Sequence, residues 1–116
     1  MRHRSIKKTF GRKTGPRKAL TKNLVQSLVL YEKIKTTDTK AKYIKPKVEK
    51  LVTKAAKDTL HTRRELMKKL PTKNAVNKLL EVLGPRYKDR KGGYLRIIKI
   101  GERRGDAAKM VQIEFV

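Results

Sequence analysis

The chain contains no cysteine, which excludes disulfides, thiolate zinc sites and thiol catalysis. That fits a reducing compartment. Tryptophan is also absent and aromatic residues make up 5% of the 116 positions, against an apolar fraction of 37%, so a core of modest size is expected. No apolar run approaches the roughly 20 residues of a membrane-spanning helix. The basic start has no adjoining apolar stretch, so no secretory signal is expected. Residues 1–31 are free of acid and rich in hydroxyl and basic groups, as a mitochondrial presequence would be, yet Phe10-Gly11 and Thr14-Gly15-Pro16 interrupt any amphipathic helix there. Negative charge is the scarcest property of this region: the first acid is Glu32.

Positive charge is what the chain has. It carries 33 Lys and Arg against 10 Asp and Glu, a net charge of +23. Self-repulsion at that density opposes a compact state unless a polyanion supplies the missing charge. Nucleic acid is the leading candidate. A length of 116 residues fits one domain. Within residues 1–14 only Met1, Ile6 and Phe10 are sizeable apolar groups, too few for a core face. The expected division is a basic arm, residues 1–14, that orders on binding, and one domain, residues 15–116.

From Pro16 the pattern is helical, with Leu20, Leu24, Leu28 and Tyr31 on one face. Ile34-Lys35-Thr36-Thr37 reads as an edge strand. Thr37 or Asp38 caps a second helix whose buried stripe is Ala41, Ile44, Val48, Leu51, Val52 and Ala55, with Pro46 expected to kink it or delay its start. A third helix is expected from about Thr59 to Lys69. A fourth, capped by Thr72, turns Val76, Leu79, Leu80 and Leu83 inward and stops at Gly84-Pro85. Residues 94–100 read as a strand, and Val111, Ile113 and Phe115 alternate in another. The polar Gly101–Ala108 connector makes an antiparallel hairpin the simplest pairing. The fold class expected is α+β, a two-layer arrangement of helices on a small sheet.

Two basic groups stand out. In the arm, Arg2, His3, Arg4, Lys7, Lys8, Arg12 and Lys13 are donors for phosphate oxygens, continued by Arg17, Lys18 and Lys22. His3 and Phe10 offer rings to a base. The bland alternative is a solvated tail. The second group is Arg86, Arg90, Lys91, Tyr94 and Arg96, where Gly92-Gly93 permits close backbone approach; binding is favoured there over the bland alternative of a helix-to-strand loop with solvated charges. Arg63-Arg64 on the third helix and Arg103-Arg104 at the hairpin tip are weaker cases, since a helical charge pair is usually a solvated face. Gly92-Gly93 forms neither dinucleotide nor Walker spacing. His3 and His61 have no acid at catalytic or metal-ligand spacing, and the carboxylates sit singly beside Lys or Arg. No catalytic, cofactor or metal residue is singled out, and no enzyme activity is expected.

The residues, taken in order, resemble a family: bacterial large-subunit ribosomal protein number seventeen. The resemblance rests on Met1-Arg2-His3-Arg4, on Ser27-Leu28-Val29 through Glu32 to Ile34-Lys35-Thr36-Thr37, and on Lys40-Ala41-Lys42. It continues through Arg63-Arg64, Leu83-Gly84-Pro85-Arg86-Tyr87, Arg90, Gly92-Gly93-Tyr94, Arg96-Ile97 and Lys99. It closes with Gly101, Arg103, Gly105-Asp106, Ala108, Met110 and Ile113-Glu114. The resemblance implies helix, strand, three helices and two strands with an extended basic N-terminal arm. It also implies a structural constituent of the large ribosomal subunit that binds large-subunit (23S-type) rRNA near the peptide exit tunnel outlet, beside other ribosomal proteins. The arm role is carried onto Arg2, His3 and Arg4, which match the family's opening motif. The chain ends at Val116 without the polar tail some members carry, so no contact from such a tail is expected. No cofactor, membrane, small-molecule substrate or homo-oligomer is expected. The cytoplasmic ribosome is the expected location, an organellar ribosome the alternative. Composition alone also allows a nucleoid-type DNA- or RNA-compacting protein. That alternative predicts oligomerisation and equal affinity for duplex DNA.

Overall fold

The computed structural model describes His3 and residues 8–116. Helix α1 (Thr14–Tyr31) leads through Glu32 into strand β1 (Lys33–Thr37), followed by α2 (Asp38–Ala55) and α3 (Leu60–Lys69). Helix α4 (Lys73–Lys78) passes directly into a π-helical turn (Leu79–Leu83) and a last turn, α5 (Gly84–Arg86). Strands β2 (Leu95–Glu102) and β3 (Lys109–Phe115) close the chain. The three strands form an antiparallel sheet in the order β1-β3-β2, with Ile34, Ile113 and Ile97 in one row across it. The α+β class, the element order, the edge position of β1 and the β2–β3 hairpin are as the sequence predicts.

The core follows from side-chain period. On α2 the buried residues are Ala41, Ile44, Val48, Leu51, Val52 and Ala55, the stripe a 3.6-residue period requires. On β3 Val111, Ile113 and Phe115 alternate inward. Leu28 and Val29 of α1, Leu66 of α3, and Leu79 and Leu83 of the π turn fill the space between them. Thr59 caps α3 by accepting from the Thr62 amide at 3.2 Å. Glu32 ends α1 in the left-handed region (φ 62°) while its amide donates to the Leu28 carbonyl at 2.8 Å.

Four expectations need correction. Tyr31 does not belong to the α1 stripe: it is 71% exposed, and Val25, Leu28 and Val29 are the buried residues. None of residues 14–23 is buried, so the basic first half of α1 stands off the core and Leu20 is only half-buried. Pro46 does not delay the start of α2, which begins at Asp38 and runs through it; the bond to the Lys42 carbonyl is lost, on a solvent-exposed side. Gly84-Pro85 is not a stop. Gly84 is right-handed (φ −56°), and a Cβ there would lie 2.5 Å from the Ala55 carbonyl oxygen. Glycine is required there because two helices touch, not because a helix ends. The wide π turn just before Pro85 gives its ring room against the preceding turn.

Candidate nucleic-acid interface

The basic residues divide by whether the protein itself already neutralises them. Six of the ten acids hold cations: Asp38 pairs with Lys42, Asp58 with Arg63, Glu65 with Lys54, Glu32 with Arg86 and Lys78, Glu114 with Arg96, and Asp106 with Arg103. Four sequence candidates, Arg63, Arg86, Arg96 and Arg103, are therefore internally partnered. Lys8, Arg12, Lys13, Arg17, Lys18, Lys22, Arg64, Arg90, Lys91 and Arg104 have no carboxylate partner among the described residues. His3 is exposed in a turn, while Arg2, Arg4 and Lys7 lie outside the described residues.

Three of these pairs also have a structural task. Arg103 reaches Asp106 at 2.6 Å across the hairpin turn, and Asp106 accepts from the Ala108 amide at 3.2 Å. These two donations, Arg103 first, hold the Asp106 carboxyl down to about 2. Arg96 on β2 meets Glu114 on β3 at 2.7 Å in the row that also contains Lys33; donation from Arg96, then Gln112, lowers the Glu114 carboxyl. Glu32 lies where α1, the α4 rod and β3 converge. Its carbonyl accepts from the Phe115 amide at 3.0 Å and its carboxylate takes Arg86, with Lys78 at 3.7 Å. The Arg86 hydrogen bond lowers the Glu32 carboxyl more than partial burial raises it. These arginines are placed to lock elements together.

Tyr94 is a correction to the candidate list. Its ring is buried beside Tyr87, centroids 5.3 Å apart, and Tyr87 stacks in turn on Phe115 at 5.9 Å. The Tyr94 hydroxyl donates to the Arg90 carbonyl at 3.0 Å and lies 3.3 Å from the Thr53 hydroxyl. The Tyr87 hydroxyl donates to the Val116 carbonyl at 2.6 Å. The ring cannot stack on a base without leaving the core. Its effect is to tie down the loop that displays Arg90 and Lys91, both exposed. Gly92 and Gly93 turn that loop back with φ of 112° and 63°.

Phe10 too is placed differently from the expectation of a ring free for stacking. It is half-buried, edge-on to Tyr43 of α2 with centroids 5.2 Å apart. The lysines of α2 are absent from the candidates above: Lys40, Lys42, Lys45, Lys47, Lys50 and Lys54 fill the positions between its buried residues. Their signal was in the sequence, as a cation every two to four residues off the apolar stripe. His61 does have an acidic neighbour, Glu65, one helical turn on at 3.3 Å. The pair is exposed, and no group of three or more metal-ligating side chains occurs among the described residues. No described helix is long and apolar enough to cross a membrane.

The fold and this surface define a small, strongly basic α+β protein in which, among the described residues, cations without a carboxylate partner include Lys18 and Lys22 of α1, Lys47 of α2, Arg64 of α3 and Arg90, Lys91 and Arg104 of the loops, with no catalytic cluster there. Residues 20–116 match the family model for Ribosomal protein L17, and the chain belongs to that family. It is 52% identical over its whole length to the large ribosomal subunit protein bL17 of Thermomicrobium roseum, covering 99% of that protein. To the protein of the same name from Beijerinckia indica it is 51% identical, again over the whole chain, covering 83% of the relative. The one from Acidobacterium capsulatum is 46% identical and 72% covered.

Proposed function

We propose that this protein is a structural constituent of the large ribosomal subunit, binding and stabilising large-subunit rRNA through a basic arm, residues 1–14, and the basic surface of the domain formed by residues 15–116. Its place in this reading is near the outlet of the peptide tunnel of a cytoplasmic ribosome, with other large-subunit proteins as neighbours. Membership of the L17 family supports the subunit. The observation that supports RNA as the ligand is the surplus of cations over internal partners. Six acids bind a minority of the 33 basic groups, and phosphate oxygens are the counter-charge that accepts charge-assisted hydrogen bonds from the remainder.

Co-sedimentation with large subunits at moderate salt tests the proposal. Retention on the subunit, with affinity for large-subunit rRNA well above that for duplex DNA, is the expected result. Release into a free pool, or equal binding to duplex DNA together with self-association, would overturn it.

A further inference from the structure

The route of residues 8–13 suggests more than a charged tail. Phe10 and Gly11 both adopt positive φ, 53° and 64°, so the chain turns sharply here instead of running on extended. Arg12 braces the turn twice: its amide donates to the Thr9 carbonyl at 3.0 Å and its guanidinium to the Phe10 carbonyl at 2.9 Å. The turn presents the Phe10 ring to Tyr43, edge to face at an interplanar angle of 80°, a favoured aromatic geometry. Lys47, one turn further along α2, places its ammonium 4.8 Å from the Tyr43 ring centre. Beside this contact Lys8 joins Asp38, Thr39, Lys42 and Tyr43 around an open cleft of about 320 Å³.

We infer that the Phe10–Tyr43 contact is a clasp that fastens the root of the basic N-terminal stretch to α2, so that Lys8, Arg12 and Lys47 form one preassembled cationic surface for RNA phosphates. The inference rests on the proposed RNA ligand, and it makes Phe10 and Tyr43 positioning residues. A non-Gly residue at positive φ is unfavourable by itself, and Phe10 holds it here because the ring gains a partner. With the root fixed before RNA arrives, the ordering of these residues is not charged against binding.

The test uses the full chain, purified large-subunit rRNA, and the variants Phe10→Ala, Tyr43→Ala, their double mutant and Phe10→Tyr. Each single alanine variant should weaken RNA binding about tenfold, roughly 1.4 kcal/mol, and the double mutant should be no weaker than either. Phe10→Tyr, which keeps the ring, should restore affinity. In the RNA-free protein, Phe10→Ala should shift the Tyr43 ring resonances and lower the order parameters of residues 9–12. Melting of each free variant, with Tyr43→Leu as a milder second substitution, separates loss of fold from loss of clasp. If Phe10 instead stacked on a base, Tyr43→Ala would leave affinity unchanged while Phe10→Ala reduced it, and the clasp would be wrong. Wild-type order parameters at residues 9–12 as low as those of an unfolded chain would also overturn it. A wild type that is ordered there but does not bind rRNA would refute the RNA ligand and leave the clasp as a fact of the fold.

Discussion

Leu28 of α1 is fully buried in the core, so Leu28→Ala removes its packing and leaves a cavity. A loss of about 2–5 kcal/mol in denaturant unfolding is expected. Three residues on, Tyr31→Ala should change stability by less than about 0.5 kcal/mol, as an exposed position does. Gly84→Ala should cost about 1–3 kcal/mol, because the added methyl meets the Ala55 backbone and no side chain can yield to it. A Gly84→Ala melt equal to wild type would show that the two helices can separate freely. Single-residue burial was legible where period and composition agreed, as on α2 and β3. At Tyr31 they diverged: the spacing suited the stripe, but Tyr31 is the last residue of α1 and its side chain is exposed. Tyr94 erred in the opposite direction. A tyrosine beside Gly92-Gly93 and Arg96 reads as surface, whereas its hydroxyl has the Arg90 carbonyl to bond and its ring has Tyr87. Partners from distant chain segments are invisible to local pattern.

Between elements, Glu32 ties three segments together, and its titration gives the tie a pH signature. Its carboxyl is lowered from the ordinary 4.5, chiefly by the Arg86 hydrogen bond. A depressed acid contributes stability that is fully present above its unfolded value and is lost as pH falls through the folded one. The melting temperature of wild type should therefore exceed that of Glu32→Gln above about pH 5, and the gap should close as pH drops below about 4.5. The carboxylate is over a third exposed, so the difference should be on the order of 0.2–1 kcal/mol. A gap that widened in acid would reverse the assignment. Element boundaries were legible at Thr59 and at β1. The continuation past Gly84-Pro85 was not, since the usual meaning of that dipeptide depends on a left-handed glycine and this one packs against α2.

At the scale of the whole molecule, a net charge of +23 makes one property act in two directions. Without RNA the folded chain gathers its cations around a modest core, and repulsion between unpaired groups opposes folding. Added salt shortens the Debye length from about 10 Å at 0.1 M to about 3 Å at 1 M, so the free protein should melt higher as salt rises. With RNA bound the phosphates already supply the counter-charge. Binding to the native form adds stability by mass action, about 4 kcal/mol at a thousandfold excess over the dissociation constant, and binding to the unfolded polycation reduces that gain. Salt then competes with the protein for phosphate. If six to ten contacts form, a fourfold increase in salt weakens binding by roughly three to five decades. The melting temperature of the complex should accordingly fall with salt while that of the free protein climbs, until the two curves meet where RNA no longer binds. Neutralising Lys13, Lys18 and Lys22, all exposed, should flatten both slopes, with little change in the melting temperature of the free protein at high salt. Leu28→Ala should lower both curves and leave their slopes intact. Thermal melts of wild type and both variants across salt, with and without large-subunit rRNA, separate these outcomes. Parallel curves for free and bound protein would mean that the positive surface is not where RNA binds.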